Sequence, residues 1–332
     1  MLRDVPRPQP RFGPLGVARV RRLSRRPVIA LCAYLVAAIA LGALLAFPVY
    51  AALQRIADPA FDSVLHRVAA LTLLVLLPFY LASGRAGAGS EHGASTGFAR
   101  SASGTRPRSR EPIVTRDALG FGCSARTFRR SFAAGFVLGA LVAAPLIGAF
   151  LVLGVRARAA GEWSVLDVGT YAAEALVAAL VIGLIEEAYF RGALTAPLRR
   201  LSCLIAIPIV SVVYAAVHFL GAPLPAEDLG WTSGFSSIAH SRPPLDAFFA
   251  LFAAGLLLGA LRHRFGHIGV CAGLHAGWVW LMKLNQEYTD VVPGSDWRFL
   301  EGAFGGTMGW LGLAWIALLG AGWYSWERRH IA

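Results

Sequence analysis

Eight apolar runs, each roughly 18 residues or longer, constrain this chain more than any other feature of it. A run of that length covers the ~30 Å hydrocarbon core as a helix, and a helix satisfies every backbone polar group within itself. The runs lie near residues 28–50, 64–82, 132–154, 167–190, 203–221, 245–261, 267–284 and 308–325. They predict an all-α, polytopic membrane protein with about eight transmembrane helices. A composition of 56% hydrophobic and only 15% charged residues excludes an ordinary soluble globule.

Loop charges test the count, because Lys and Arg accumulate on alternate sides of the membrane when the spans are right. Arg3, Arg7, Arg11, Arg19, Arg21, Arg22, Arg25 and Arg26 precede the first run. Nine more arginines, from Arg85 to Arg130, fall between the second and third. The pairs Arg199/Arg200, Arg262/Arg264 and Arg328/Arg329 mark later turns on the same side. The intervening segments are acidic or mixed, with Asp58, Asp62, Glu227, Asp228, Glu287, Asp290, Asp296 and Glu301. An even number of spans with both termini cytoplasmic follows. The formal net charge of +12 is dispersed over these turns rather than gathered on one face. It points to anionic lipids as partners and not to nucleic acid. The basic start lacks a convincing small-residue cleavage site and reads as a retained signal anchor.

Composition also divides the chain. A basic N-terminus, 1–27, precedes two helices over 28–82. The stretch 83–116 is rich in Gly, Ser, Ala and Arg and cannot bury enough surface to order itself, so it reads as a flexible cytoplasmic linker. A core follows over 117–284, then an exterior loop, the last span and a short tail over 285–332. Cys32, Cys123, Cys203 and Cys271 show no paired CxxC spacing, which speaks against a disulfide framework or a thiolate zinc site. Cys271 reads as a small buried apolar residue.

The stretch LIEEAYFRGAL, residues 184–194, puts charge inside an apolar run. Glu187 and Arg191 are four residues apart, on one helix face, with the acid N-terminal to the base, which is the spacing of an ion pair. Glu186 projects about 100° away, among Ile182, Gly183, Tyr189 and Phe190, without a cation at helical spacing. An intramembrane carboxylate without a fixed partner is a functional candidate and a potential general base. Two histidines lie in later runs. His218 closes PIVSVVYAAVHF, one turn after Tyr214, and His275 lies between Gly273 and Gly277, which permit close helix approach. A base, a group to orient it and an oxyanion donor are the parts that water-mediated peptide hydrolysis needs. The depths conflict, however. Alternate spans run in opposite directions, so a straight fifth span carries His218 to the exterior while Glu186 lies toward the cytoplasm. The two meet only if the fourth helix is tilted or broken near Pro197, or if the pocket lies deeper than the loop charges suggest.

EEAYFRG at 186–192 resembles the EExxxR signature of the CPBP family, the type II CAAX prenyl endopeptidases and their bacterial relatives. YAAVH at 214–218 resembles that family's FxxxH motif with Tyr214 for Phe. GLHAGWV at 273–279 resembles HxxxN with Val279 where Asn is expected. The resemblance implies an eight-helix intramembrane endopeptidase whose catalytic set is Glu186, Glu187, His218 and His275. In it Glu186 and His218 activate a water, His275 helps to bind the oxyanion, and Arg191 holds Glu187 in a structural ion pair. With Val279 in place of Asn, half the oxyanion site needs a substitute, for which the indole N–H of Trp278 or Trp280 is available.

The expected activity is hydrolysis of a peptide bond near the end of a membrane-associated polypeptide, without cofactor. The alternatives are a zinc-dependent version of the same protease, a binding or immunity factor, and a proton-coupled carrier. Many arginines and alanines and few lysines suggest a GC-rich bacterial genome and an inner-membrane location.

Overall fold

The structure is a computed structural model that describes residues 26–86, 116, 119–302 and 304–331. Most of the basic N-terminus and of the expected linker lies outside the described residues. What is described is almost wholly helical: α1 (Arg26–Leu53), α2 (Phe61–Ala86), α3 (Ala125–Val152), α4 (Val165–Glu187), α5 (Cys203–Val217), α6 (Ser233–Ala239), α7 (Leu245–Phe265), α8 (Gly269–Tyr288) and α9 (Trp310–Ile331). Each of the eight apolar runs is a helix. Five of these helical segments, Pro27–Leu53, Phe61–Ala82, Ala125–Val152, Val165–Leu198 and Leu245–Phe265, are long and apolar enough to cross a membrane. α5 has 15 residues and rises roughly 22 Å, shorter than the span expected over 203–221. α8 carries His275, Lys283, Asn285 and Glu287, which dilute its hydropathy, and it lies inside the bundle. The sequence pattern gave no sign of α6, a short helix in the Ser- and Gly-rich stretch after Trp231.

Glycine sets the packing of α8. A Cβ on Gly273 or Gly277 would stand 2.0 or 2.1 Å from the carbonyl oxygens of Phe132 and Phe136 on α3. From the other side, Gly135 and Gly139 of α3 face Val270 and Leu274 equally closely. Small residues four apart on both helices bring the backbones together, as expected of Gly273 and Gly277 and missed for the α3 pair. Gly183 does the same between α4 and α8, where a Cβ would meet the Ala272 carbonyl oxygen at 2.8 Å. α8 is thereby held between α3 and α4, the helix with the two glutamates.

The two N-terminal helices reach the same region. The Tyr34 hydroxyl donates to the Leu73 carbonyl at 2.5 Å and accepts from Tyr189 at 2.7 Å, and Tyr80 donates to the Leu194 carbonyl at 3.0 Å. Tyr189 and Leu194 bracket Arg191, so α1 and α2 buttress the motif. At the far end, β1 (Arg156–Arg158) pairs antiparallel with β2 (Thr289–Val291). Arg156 forms a buried ion pair with Glu301 and donates from Nε to the Thr289 hydroxyl at 2.5 Å.

Candidate functional site

α4 ends at Glu187 and continues as a π-helical turn over Ala188–Leu194, then as a 3₁₀ turn over Ala196–Arg200 that contains Pro197. π-turns are rare and often accompany functional side chains. Here the turn follows directly on the two glutamates and buries Tyr189, Phe190 and Arg191. The break near Pro197 is one of the ways in which the depth conflict could be relieved.

Glu186 and His218 do meet. Glu186 Oε2 stands 3.9 Å from His218 Nε2. Phe190 and Tyr214 pack edge to face at 5.1 Å. Both pairs are centred on Ser202, the residue that caps α5, so α5 returns alongside the motif in antiparallel register. Glu186 near the end of α4 thus stands level with His218, the residue that ends α5.

Glu187 is fully buried, and its Oε1 accepts from Arg191 Nη1 at 2.9 Å, the pair expected from i,i+4 spacing. The same oxygen accepts from His275 Nδ1 at 3.1 Å. This second bond was invisible in sequence, since 88 residues separate the partners. It orients the imidazole of His275 so that Nε2 faces Glu186 Oε2, again at 3.9 Å. The Arg191 guanidinium lies over the Tyr214 ring, 4.3 Å from its centroid, which fixes it from a third side.

His218 donates from Nδ1 to the Tyr214 carbonyl at 2.6 Å. A carbonyl only accepts, so Nδ1 carries the proton, and the Nε2 of neutral His218 presents a lone pair to Glu186. Glu186 keeps 29% of its side chain accessible, against 0% for Glu187, although the Oε2 that faces the histidines is buried. At 3.9 Å neither imidazole bonds directly to Glu186, and Glu186 Oε2 has no partner of its own. Three polar atoms thus converge at a separation that a shared third molecule bridges.

Trp280 donates to the Ala172 carbonyl at 3.0 Å and is therefore not free to replace the missing Asn. The Nε1–H of Trp278 is buried without a hydrogen-bond partner, one turn beyond His275. Val279 is part-buried. Cys271 is fully buried in the core. Among the described residues, no group of three His, Cys, Asp or Glu is arranged to hold a metal ion.

Fold and cluster together define an all-α, multi-pass membrane protein that keeps acids, imidazoles and a guanidinium inside its bundle. Residues 169–281, about a third of the chain, match the family model described as type II CAAX prenyl endopeptidase Rce1-like, and the three sequence motifs all fall within that stretch. Over that stretch the chain is similar to the CAAX protease-type enzymes of the CPBP family of membrane proteases. Comparison with curated proteins and with solved structures gave no match.

Proposed function

We propose that the protein hydrolyses a peptide bond near the end of a membrane-associated polypeptide, using a water activated by Glu186 and His218. The observation that carries this reading is the approach of Glu186 Oε2 to both imidazole Nε2 atoms at 3.9 Å. Glu186 and His218 present acceptors to each other, and a water lying between them donates one O–H to each. Transfer of one proton to Glu186 leaves hydroxide, which adds to the scissile carbonyl. The carbonyl oxygen then carries the negative charge. Collapse of this intermediate breaks the C–N bond, and Glu186 returns its proton to the leaving amine, so one water is consumed per bond cleaved.

His275 serves the oxyanion. Its Nδ1–H is committed to Glu187, so it donates from Nε2 as the imidazolium. Two flanking carboxylates against the single Arg191 guanidinium leave room for that charge. Glu187 and Arg191 are positioning residues. They act by fixing the ring.

A zinc-dependent version is the second reading: one carboxylate and two imidazoles converge, although as they stand they are not arranged to hold a metal. Tetrahedral zinc with arms of ~2.0–2.1 Å holds its ligand atoms ~3.3 Å apart, so the cluster would have to contract by about half an ångström. No step above uses a metal.

The test is cleavage by the purified full chain in lipid vesicles. A panel of membrane-tethered peptides with varied C-termini is offered and the products are read by mass spectrometry. Release of a C-terminal fragment by the parent is the expected result. No cleavage of any member of a broad panel, by a folded protein, would favour a binding or carrier role.

A further inference from the structure

Between α5 and α7 lies a cavity of ≈ 390 Å³ that the proposed hydrolysis does not use. It sits where α5 begins and α7 ends, on the side that the arginine-rich turns assign to the cytoplasm. Its wall combines an apolar surface, Leu201 and Ile207, with Arg191, Arg262 and His263, and none of its described lining residues is acidic. Cationic groups above an apolar groove suit an anionic head on an apolar tail.

Arg191 makes this a built site. Its side chain is 2% accessible and Nη1 is committed to Glu187. Nη2 is buried with no hydrogen-bond partner. A buried guanidinium N–H left unpaired is costly, and the planar fork of arginine matches phosphate oxygens. The groove lies along helices of a membrane bundle, so a phosphate that arrives with acyl chains attached gains from both walls.

We propose that this cavity binds the phosphate of an anionic phospholipid, seated on Arg191 with Arg262 and His263 beside it and its chains along Leu201 and Ile207. Since Arg191 also holds Glu187, the bound lipid steadies the ion pair that orients His275. That consequence rests on the hydrolytic reading. The binding does not.

Cys203 lines the cavity and is partly accessible, so it reports occupancy without any cleavage assay. The full chain carrying Cys32→Ser and Cys123→Ser retains Cys203 and the buried Cys271 as its thiols. The rate of maleimide labelling is compared in phosphatidylcholine vesicles with and without phosphatidylglycerol. Phosphatidylglycerol should slow labelling about tenfold when it stands about tenfold above its dissociation constant. Arg262→Gln should remove most of that protection. His263→Glu, at an exposed position where folding is not at stake, should also weaken it. Equal rates in the two vesicles, or protection unchanged in both variants, would overturn the proposal. Equal protection by inorganic phosphate in phosphatidylcholine vesicles would overturn the lipid as the source of the anion.

Discussion

His275 bridges the two adjacent glutamates, with Nδ1 bonded to Glu187 at 3.1 Å and Nε2 facing Glu186 at 3.9 Å. Two neighbouring acids in the sequence thereby take different tasks. Glu187 is locked between a guanidinium and an imidazole, and Glu186 is left open on the far side of the same ring.

Glu187→Gln removes the charge from a buried pair and leaves Arg191 uncompensated. Loss of one partner of such a pair costs about 3–5 kcal/mol. The variant should show a clearly lowered thermal midpoint in detergent, together with reduced cleavage. A midpoint equal to the parent's would mean that the pair contributes nothing to the fold.

Val279 stands where the family motif has Asn, and the free indole N–H of Trp278 is the remaining candidate donor. An oxyanion donor contributes ~3 kcal/mol in the transition state, a hundredfold or more in rate. Trp278→Phe should therefore lower kcat about a hundredfold with little change in stability, and Val279→Asn should restore part of that loss. Unchanged kcat in Trp278→Phe would assign the indole to packing alone.

The α3–α8 contact predicts a strict size limit at Gly277. A Cβ added there would stand 2.1 Å from the Phe136 carbonyl oxygen, so Gly277→Val forces the helices apart. Destabilisation of about 3 kcal/mol or more is expected, read as loss of folded protein in size-exclusion chromatography. A monodisperse Gly277→Val protein with parental stability would contradict the packing.

Chelation separates the two ways of activating water. Without metal, activity should survive prolonged treatment with strong chelators, and the purified protein should hold no stoichiometric zinc. Activity lost on chelation and restored by one equivalent of zinc would make Glu186, His218 and His275 ligands instead.

Much of this was legible in the sequence because the strongest signals are local. Apolar length marked all eight long helices, and helical spacing gave the Glu187–Arg191 pair outright. Glycine at 273 and 277 announced a close approach, although the matching Gly135 and Gly139 on α3 carried the same signal and went unread. The meeting of Glu186 with His218 was also within reach, since both lie nearly equally far from Ser202 and a hairpin places such residues level. Loop arginines obscure this, because the seven-residue π turn and the start of the five-residue 3₁₀ turn that ends in Arg199 and Arg200 lie between Glu186 and those arginines. The His275–Glu187 bond, the buttress by Tyr34 and Tyr80, and the Arg156–Glu301 pair join residues far apart in sequence, and no periodicity encodes them.

The central claim is that Glu186 takes the proton from water, and the most direct test is kcat for Glu186→Gln against the parent, on one peptide that the parent cleaves. Glutamine keeps the shape and can still hydrogen-bond, but it cannot accept the proton. The account predicts cleavage at or below the detection limit with peptide binding and thermal midpoint near those of the parent. Cleavage within a few-fold of the parent's would contradict it.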